Sequence, residues 1–159
     1  MKIQRMLPVF LSLASLFMPP TAKASEPMPD SGSPVGYWET ISDVNHKPRS
    51  VIQLYESEGV LYGKAVKNLV PGDTLDRPCT KCPGELKDQT MAGMRVIWGL
   101  REKNGAWKGG KVLDPDNGKI YRCKLALSPD GDQLFIRGYL GISLFGRTQT
   151  WNRLKGFSP

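Results

Sequence analysis

The sequence predicts an all-β chain folded as an antiparallel up-and-down β-barrel of about eight strands. From Met94 to Arg153 apolar and polar residues alternate, and the alternation is broken by Asn104-Gly105, Asn117-Gly118 and Pro129-Asp130-Gly131. Asn-Gly and Asp-Gly supply the positive φ of tight hairpin turns, so each break folds one strand back on the last. No window of useful length has helical periodicity. A meander of this length has edges to pair, and closing into a barrel pairs them and creates an interior.

The first strand covers roughly Gly36 to Ser42, and Arg49 to Asn68 forms a hairpin around Glu58-Gly59. A long connection follows from Val70 to Gly93, where Pro71, Gly72, Pro78, Pro83 and Gly84 keep any regular structure short. The remaining strands lie near Met94 to Glu102, Ala106 to Leu113, Lys119 to Leu127, Gln133 to Leu140 and Phe145 to Arg153. Strict alternation places Met94, Val96, Trp98 and Leu100 on a buried face of their strand, with Arg95 and Arg101 on the wet one. Eight short strands close a barrel that is either filled or open to one small ligand.

Ahead of the strands, Lys2 and Arg5, the apolar run Leu7 to Met18 and Ala22-Lys23-Ala24 compose a signal peptide over residues 1–24. The run is shorter than the roughly 20 residues of a membrane span, and no cysteine near the cut accepts a lipid. Residues 25–34, SEPMPDSGSP, read as a flexible leader, and 35–155 as one barrel domain. Export leads to a periplasmic or secreted protein without a membrane span. The formal charge of +7 falls to +4 once Lys2, Arg5 and Lys23 are removed. The basic residues are scattered along the strands as a solvated exterior, and nucleic acid is not expected as a partner.

Two ends of the chain resemble the lipocalins and other calycins. Gly36-Tyr37-Trp38 matches their Gly-x-Trp signature, and Arg153 matches the last-strand arginine that packs across that tryptophan. The blocks Gly36-Tyr37-Trp38, Cys79-Thr80-Lys81-Cys82, Gly109 to Pro115 and RGYLGISLFGRTQTW (Arg137 to Trp151) resemble a family of small exported bacterial proteins known only as a domain of unknown function, number two-one-four-seven. The resemblance implies a secreted or periplasmic lipocalin-like barrel and no established activity.

Cys79 and Cys82 carry the strongest chemical signal. In an exported protein they read as a local disulfide clip with Cys123 free and buried, or else Cys123 pairs with one of them. A redox role lacks the helix N-terminus of a thioredoxin-like setting, and zinc has only three cysteines and His46 with no familiar spacing. His46 is a polar-turn residue, and no spacing places a base beside a nucleophile. Asp114 to Gly118 reads as a turn held by its own side chains rather than a calcium loop. Neither a cofactor nor a metal is expected.

Arg137 and Tyr139 share one face of their strand, and Phe145, Arg147, Gln149, Trp151 and Arg153 share one face of the next; alternation does not say which faces are interior. The candidate cavity residues are Met94, Trp98, Tyr121, Arg137, Tyr139 and Arg147. They suit a small, partly apolar or acidic ligand, or a cell-envelope component, bound without catalysis. Two other readings stand beside this one. In one, an envelope interaction protein docks a protein partner through the 70–93 loop; in the other, a thiol-redox protein uses Cys79 and Cys82.

Overall fold

The computed structural model describes residues 32–159, so the segments expected as signal peptide (1–24) and, for the most part, as leader (25–34) lie outside the described residues. Eight strands run β1 Gly36–Ile41, β2 Pro48–Ser57, β3 Val60–Asn68, β4 Arg95–Lys103, β5 Ala106–Asp114, β6 Lys119–Leu127, β7 Gln133–Tyr139 and β8 Gly146–Arg153. Each pairs antiparallel with the next and β8 returns to β1, closing the barrel. The only helical element among the described residues is the short 3-10 turn Gly84–Leu86 in the β3–β4 connection.

The closing seam is short: Trp38 pairs with Arg153 and Glu39 with Asn152. Side chains reinforce it. The Arg153 guanidinium lies 4.3 Å from the Trp38 ring centroid. It also donates to the carbonyls of Gly131 (2.6 Å), Val35 (3.0 Å) and Ser33 (2.7 Å). The Trp38 indole N–H donates to the Pro34 carbonyl at 2.9 Å. One arginine thus ties the segment before β1, the β6–β7 turn and the last strand together. Burial lowers its pKa below the ordinary guanidinium value, opposed by the charge of Asp132.

Inward-facing residues fill the half of the barrel beside this seam. Trp38, Leu54, Leu61, Ile97, Leu100, Leu125, Leu134 and Cys123 are fully buried there. Glycines make room for them: a Cβ on Gly63 would lie 2.9 Å from Leu54, and one on Gly110 would lie 2.4 Å from Leu100. The expected strict alternation of β4 does not hold. The β3–β4 register shifts on both sides of Gly63, and Gly99 takes a positive φ of 78°. The extra residues turn both Val96 and Ile97 into buried positions and leave Trp98 half-buried beside Lys111 on the outer side.

The β3–β4 connection folds back on the barrel. Cys79 and Cys82 form a disulfide with Cα atoms 5.4 Å apart, and Cys123 is the free, buried thiol. Leu75, Cys79, Cys82 and Met91 join the hydrophobic core together with Leu113 of β5. The Lys81 ammonium donates to the Asp116 carbonyl at 2.8 Å, and Gly118 passes so close that a Cβ would lie 1.7 Å from the Lys81 carbonyl oxygen. The connection is therefore held by a covalent clip and by the β5–β6 turn.

Replacing Arg153 with Lys keeps the charge but removes the planar fork, leaving carbonyls without donors; urea denaturation should show a loss of about 2 kcal/mol. Chain-entropy arguments give a loop as short as the Cys79–Cys82 one about 2 kcal/mol of stabilisation. The Cys79→Ala/Cys82→Ala variant should lose that amount by the same measurement, and reduced wild-type protein should match it.

Candidate functional site

The ends of β1, β3, β5 and β7 and the starts of β2, β4, β6 and β8 gather at the end of the barrel opposite the Trp38–Arg153 seam. This end is open. A cavity of about 970 Å³ enters here. Its apolar wall is built from Ile52, Ala65, Val96, Val112, Ile136 and Trp151, one or more from most strands. The wall leaves space because Ala65, Val112 and Gly138 are small at inward positions near the mouth, whereas Leu54, Leu61, Leu100 and Trp38 fill the interior nearer the seam. Gly138 adds width: a Cβ there would sit at ordinary contact distance, 3.6 Å from Tyr121 and 3.7 Å from Val112.

Polar groups collect at the mouth, and most already have partners. Thr40 and Ser50 share a 2.8 Å hydroxyl hydrogen bond. The Tyr121 hydroxyl accepts from the Asn117 amide at 3.2 Å, and the Trp151 indole donates to Gln149 at 3.2 Å. Asp43, in the β1–β2 loop, pairs with Arg147 and accepts from the Gln149 amide, so this loop is tied to β8 beside the opening. Arg49 pairs with Asp116 across the same rim. Ion pairs this exposed contribute little to stability, on the order of 0 to 1 kcal/mol each. Their effect here is to position loops.

The strand registers decide the faces that alternation left open. Gly138 pairs with Arg147, Ile136 with Gln149 and Leu134 with Trp151, so the Arg147, Gln149, Trp151 and Arg153 face of β8 is interior. The Arg137 and Tyr139 face of β7 is the opposite, outer one. Tyr139, at the strand end, still borders the mouth, as do Tyr121 and Arg147. Arg137 instead donates to the carbonyls of Ser143 (2.9 Å) and Leu144 (3.1 Å) and to the Thr148 hydroxyl (2.9 Å). Met94 is buried in the core and Trp98 packs against it; neither lines the cavity. Thus Tyr121, Tyr139 and Arg147 come together, and Met94, Trp98 and Arg137 lie apart from them. The wall residues absent from the candidate list, Ile52, Ala65, Val96, Val112, Ile136 and Trp151, lie at apolar positions of β2, β3, β4, β5, β7 and β8. Their signal is real but identical to that of a filled core.

Burial pushes the Cys123 thiol up to about 12, which keeps it protonated and inert at neutral pH. Among the described residues no cluster of His, Cys, Asp and Glu could hold a metal ion. The Asp114 carboxylate accepts from the Asp116 backbone and the Asn117 amide, and Gly118 has a φ of 71°, so this segment is a self-capped turn. His46 is exposed in the β1–β2 loop. Among the described residues no helix is long and apolar enough to cross a membrane.

Known proteins place this geometry. Among curated proteins none matches the sequence. A solved structure described as "Protein HP1028 from the human pathogen Helicobacter pylori belongs to the lipocalin family" superposes with a TM-score of 0.67 at 22% identity, covering 77% of this chain and 83% of that one. At that identity the likeness is one of fold, and it makes this eight-stranded barrel lipocalin-like. The family described as "Uncharacterized protein conserved in bacteria (DUF2147)" matches residues 36–153, from the first strand to the last, and the chain belongs to it.

Proposed function

We infer that the protein is an exported carrier that holds one small, partly apolar ligand in the barrel mouth and performs no chemistry on it. The observation that supports this reading is the cavity of about 970 Å³, apolar along its wall and polar at its entrance. Pockets of roughly 300–1,000 Å³ with a few polar groups near one end are typical small-molecule sites. An acyl chain or aromatic ring would lie against Ile52, Val112, Ile136 and Trp151. A carboxylate or other acidic head would rest near Arg147 and the hydroxyls of Tyr121 and Tyr139. Arg147 would then exchange part of its pairing with Asp43 for the ligand, so binding and the position of the β1–β2 loop are linked.

The loop-docking reading has less support, because the β3–β4 connection turns Leu75, Met91 and its disulfide inward rather than presenting an apolar surface. The thiol-redox reading has less as well, since both paired cysteines are buried in the core. The periplasmic or secreted location rests on the N-terminal sequence and on the disulfide, which oxidising compartments favour.

Native mass spectrometry of protein purified from its export compartment should show one retained small molecule per chain, identifiable after denaturation. A bare chain that also gives no thermal shift with fatty or aromatic acids would remove the carrier reading. A true ligand present at about 100 times its Kd adds about 2.7 kcal/mol, enough to raise Tm by roughly 10 °C. Gly138→Phe should abolish that shift, because its ring enters the cavity from a position whose Cβ is tolerated. It fills space the fold leaves open, so stability should change by only about 1 kcal/mol. Cys123 should resist alkylation in the folded protein at pH 8 and react fully in denaturant, as read by intact mass.

A further inference from the structure

The β7–β8 turn is the least buried apolar segment among the described residues. Leu140, Ile142, Leu144 and Phe145 are 58%, 62%, 76% and 74% exposed; Leu140, Leu144 and Phe145 line the rim of the cavity mouth, and Ile142 lies in the same turn. Such a cluster is costly to leave in water, and scattered single residues would not form one. The turn is also held in place. The Arg137 guanidinium spans the Ser143 and Leu144 carbonyls and the Thr148 hydroxyl, which fixes the backbone under the exposed side chains. A pinned loop that leaves four apolar side chains largely in solvent at the rim of a cavity is built to meet something.

Directly below it the barrel exterior is cationic. Lys111 pairs in register with Arg122, and Arg122 with Tyr139; one rung away, Lys124 pairs with Arg137. These basic residues belong to the outer face, because their neighbours Gly110, Cys123 and Gly138 face inward. Among the described residues no acidic side chain is ion-paired with Lys111, Arg122, Lys124 or Arg137. With strands about 4.8 Å apart and about 3.3 Å per residue, the four charges fall within roughly 10–15 Å of the apolar tip. The basic residues that look dispersed along the sequence are gathered by the sheet into one patch.

An apolar tip backed by unpaired cations matches one surface in both respects: an anionic lipid bilayer, which offers hydrocarbon beneath a layer of phosphate. We propose that the β7–β8 tip docks the barrel mouth onto an anionic membrane. Ile142, Leu144 and Phe145 enter the interface, and Lys111, Arg122 and Lys124 meet the headgroup phosphates while Arg137 holds the tip. The cavity opens beside the tip, so docking places its apolar wall next to the acyl region, where a partly apolar ligand enters or leaves without crossing water. The docking rests on the tip and patch alone; the ligand transfer rests on the carrier reading above.

The test is cosedimentation of the mature chain, residues 25–159, with vesicles of phosphatidylcholine alone or mixed with phosphatidylglycerol. A fluorescent fatty-acid probe is titrated in parallel without vesicles. The proposal expects partition onto the anionic vesicles only, weakened by salt. Lys111→Ala/Arg122→Ala/Lys124→Ala should weaken it roughly a hundredfold, at about 1 kcal/mol per basic residue, and leave probe uptake unchanged. Ile142→Asp, at an exposed site, should reduce it severalfold, with circular dichroism confirming the fold. The proposal is overturned if the wild type stays in the supernatant, if it partitions equally onto neutral vesicles, or if both variants bind as well as the wild type. Vesicle binding by a chain that takes up no probe leaves docking standing and removes the carrier reading, and probe uptake without vesicle binding does the reverse.

Discussion

Closure of the barrel depends on Arg153. The backbone seam between β1 and β8 is too short to hold by itself, with Trp38 opposite Arg153 and Glu39 opposite Asn152 as its paired positions. The guanidinium extends it by stacking on Trp38 and by holding the Ser33 and Val35 carbonyls before β1 and the Gly131 carbonyl of the β6–β7 turn. A planar cation with donors along its edge can satisfy the ring face and the carbonyls at once, and no other side chain has that geometry. Because Trp38 is then fully enclosed, it acts as the plug of that end.

The rest of the architecture follows from one end being sealed. The larger inward residues cluster against Trp38 and leave little space, helped by Gly63 and Gly110, whose missing side chains admit Leu54 and Leu100. Towards the opposite end Ala65, Val112 and Gly138 occupy inward positions, and the interior widens into a cavity. The same barrel is thus filled in one half and open in the other. The disulfide stiffens the β3–β4 connection locally, and the Lys81 hydrogen bond to Asp116 with the close packing on Gly118 holds it against the β5–β6 turn. Arg137 does the same for the β7–β8 turn through backbone carbonyls. Two arginines on the last two strands therefore have structural duties, one at each end.

This division of labour bears on how charged residues are read. Arg137 and Arg147 lie ten residues apart in one block, yet Arg137 braces a loop from outside while Arg147 borders the cavity from an interior-facing position. Asp43 reaches Arg147 and Gln149 from the far end of the chain, a contact that only barrel closure produces. The cysteines show the same contrast. Cys79 and Cys82 lie close enough in sequence to bond locally, whereas Cys123 is enclosed inside the barrel, and that enclosure, by raising its pKa, makes it chemically quiet.

Strand number, turn positions and the all-β class were legible in the sequence because they are local. Asn104-Gly105 and Asn117-Gly118 encode backbone angles directly, and alternation encodes one buried face per strand. The Trp38 and Arg153 pair was legible through resemblance. Alternation could not say which face of β7 or β8 was interior, because an arginine with aromatic neighbours is compatible with either side until register is known. It also failed at β4, where Gly99 and the shifts around Gly63 change the phase and carry Trp98 outward. The open cavity and the cationic patch beneath the apolar turn arise from residues far apart in the chain. Side-chain volumes sum to a filled or empty interior, and Lys111, Arg122 and Arg137 become neighbours, only after antiparallel pairing brings their strands together. The sequence by itself determined the strands and their turns; only the tertiary structure decided what the barrel encloses and what it presents, because both are properties of contacts between strands.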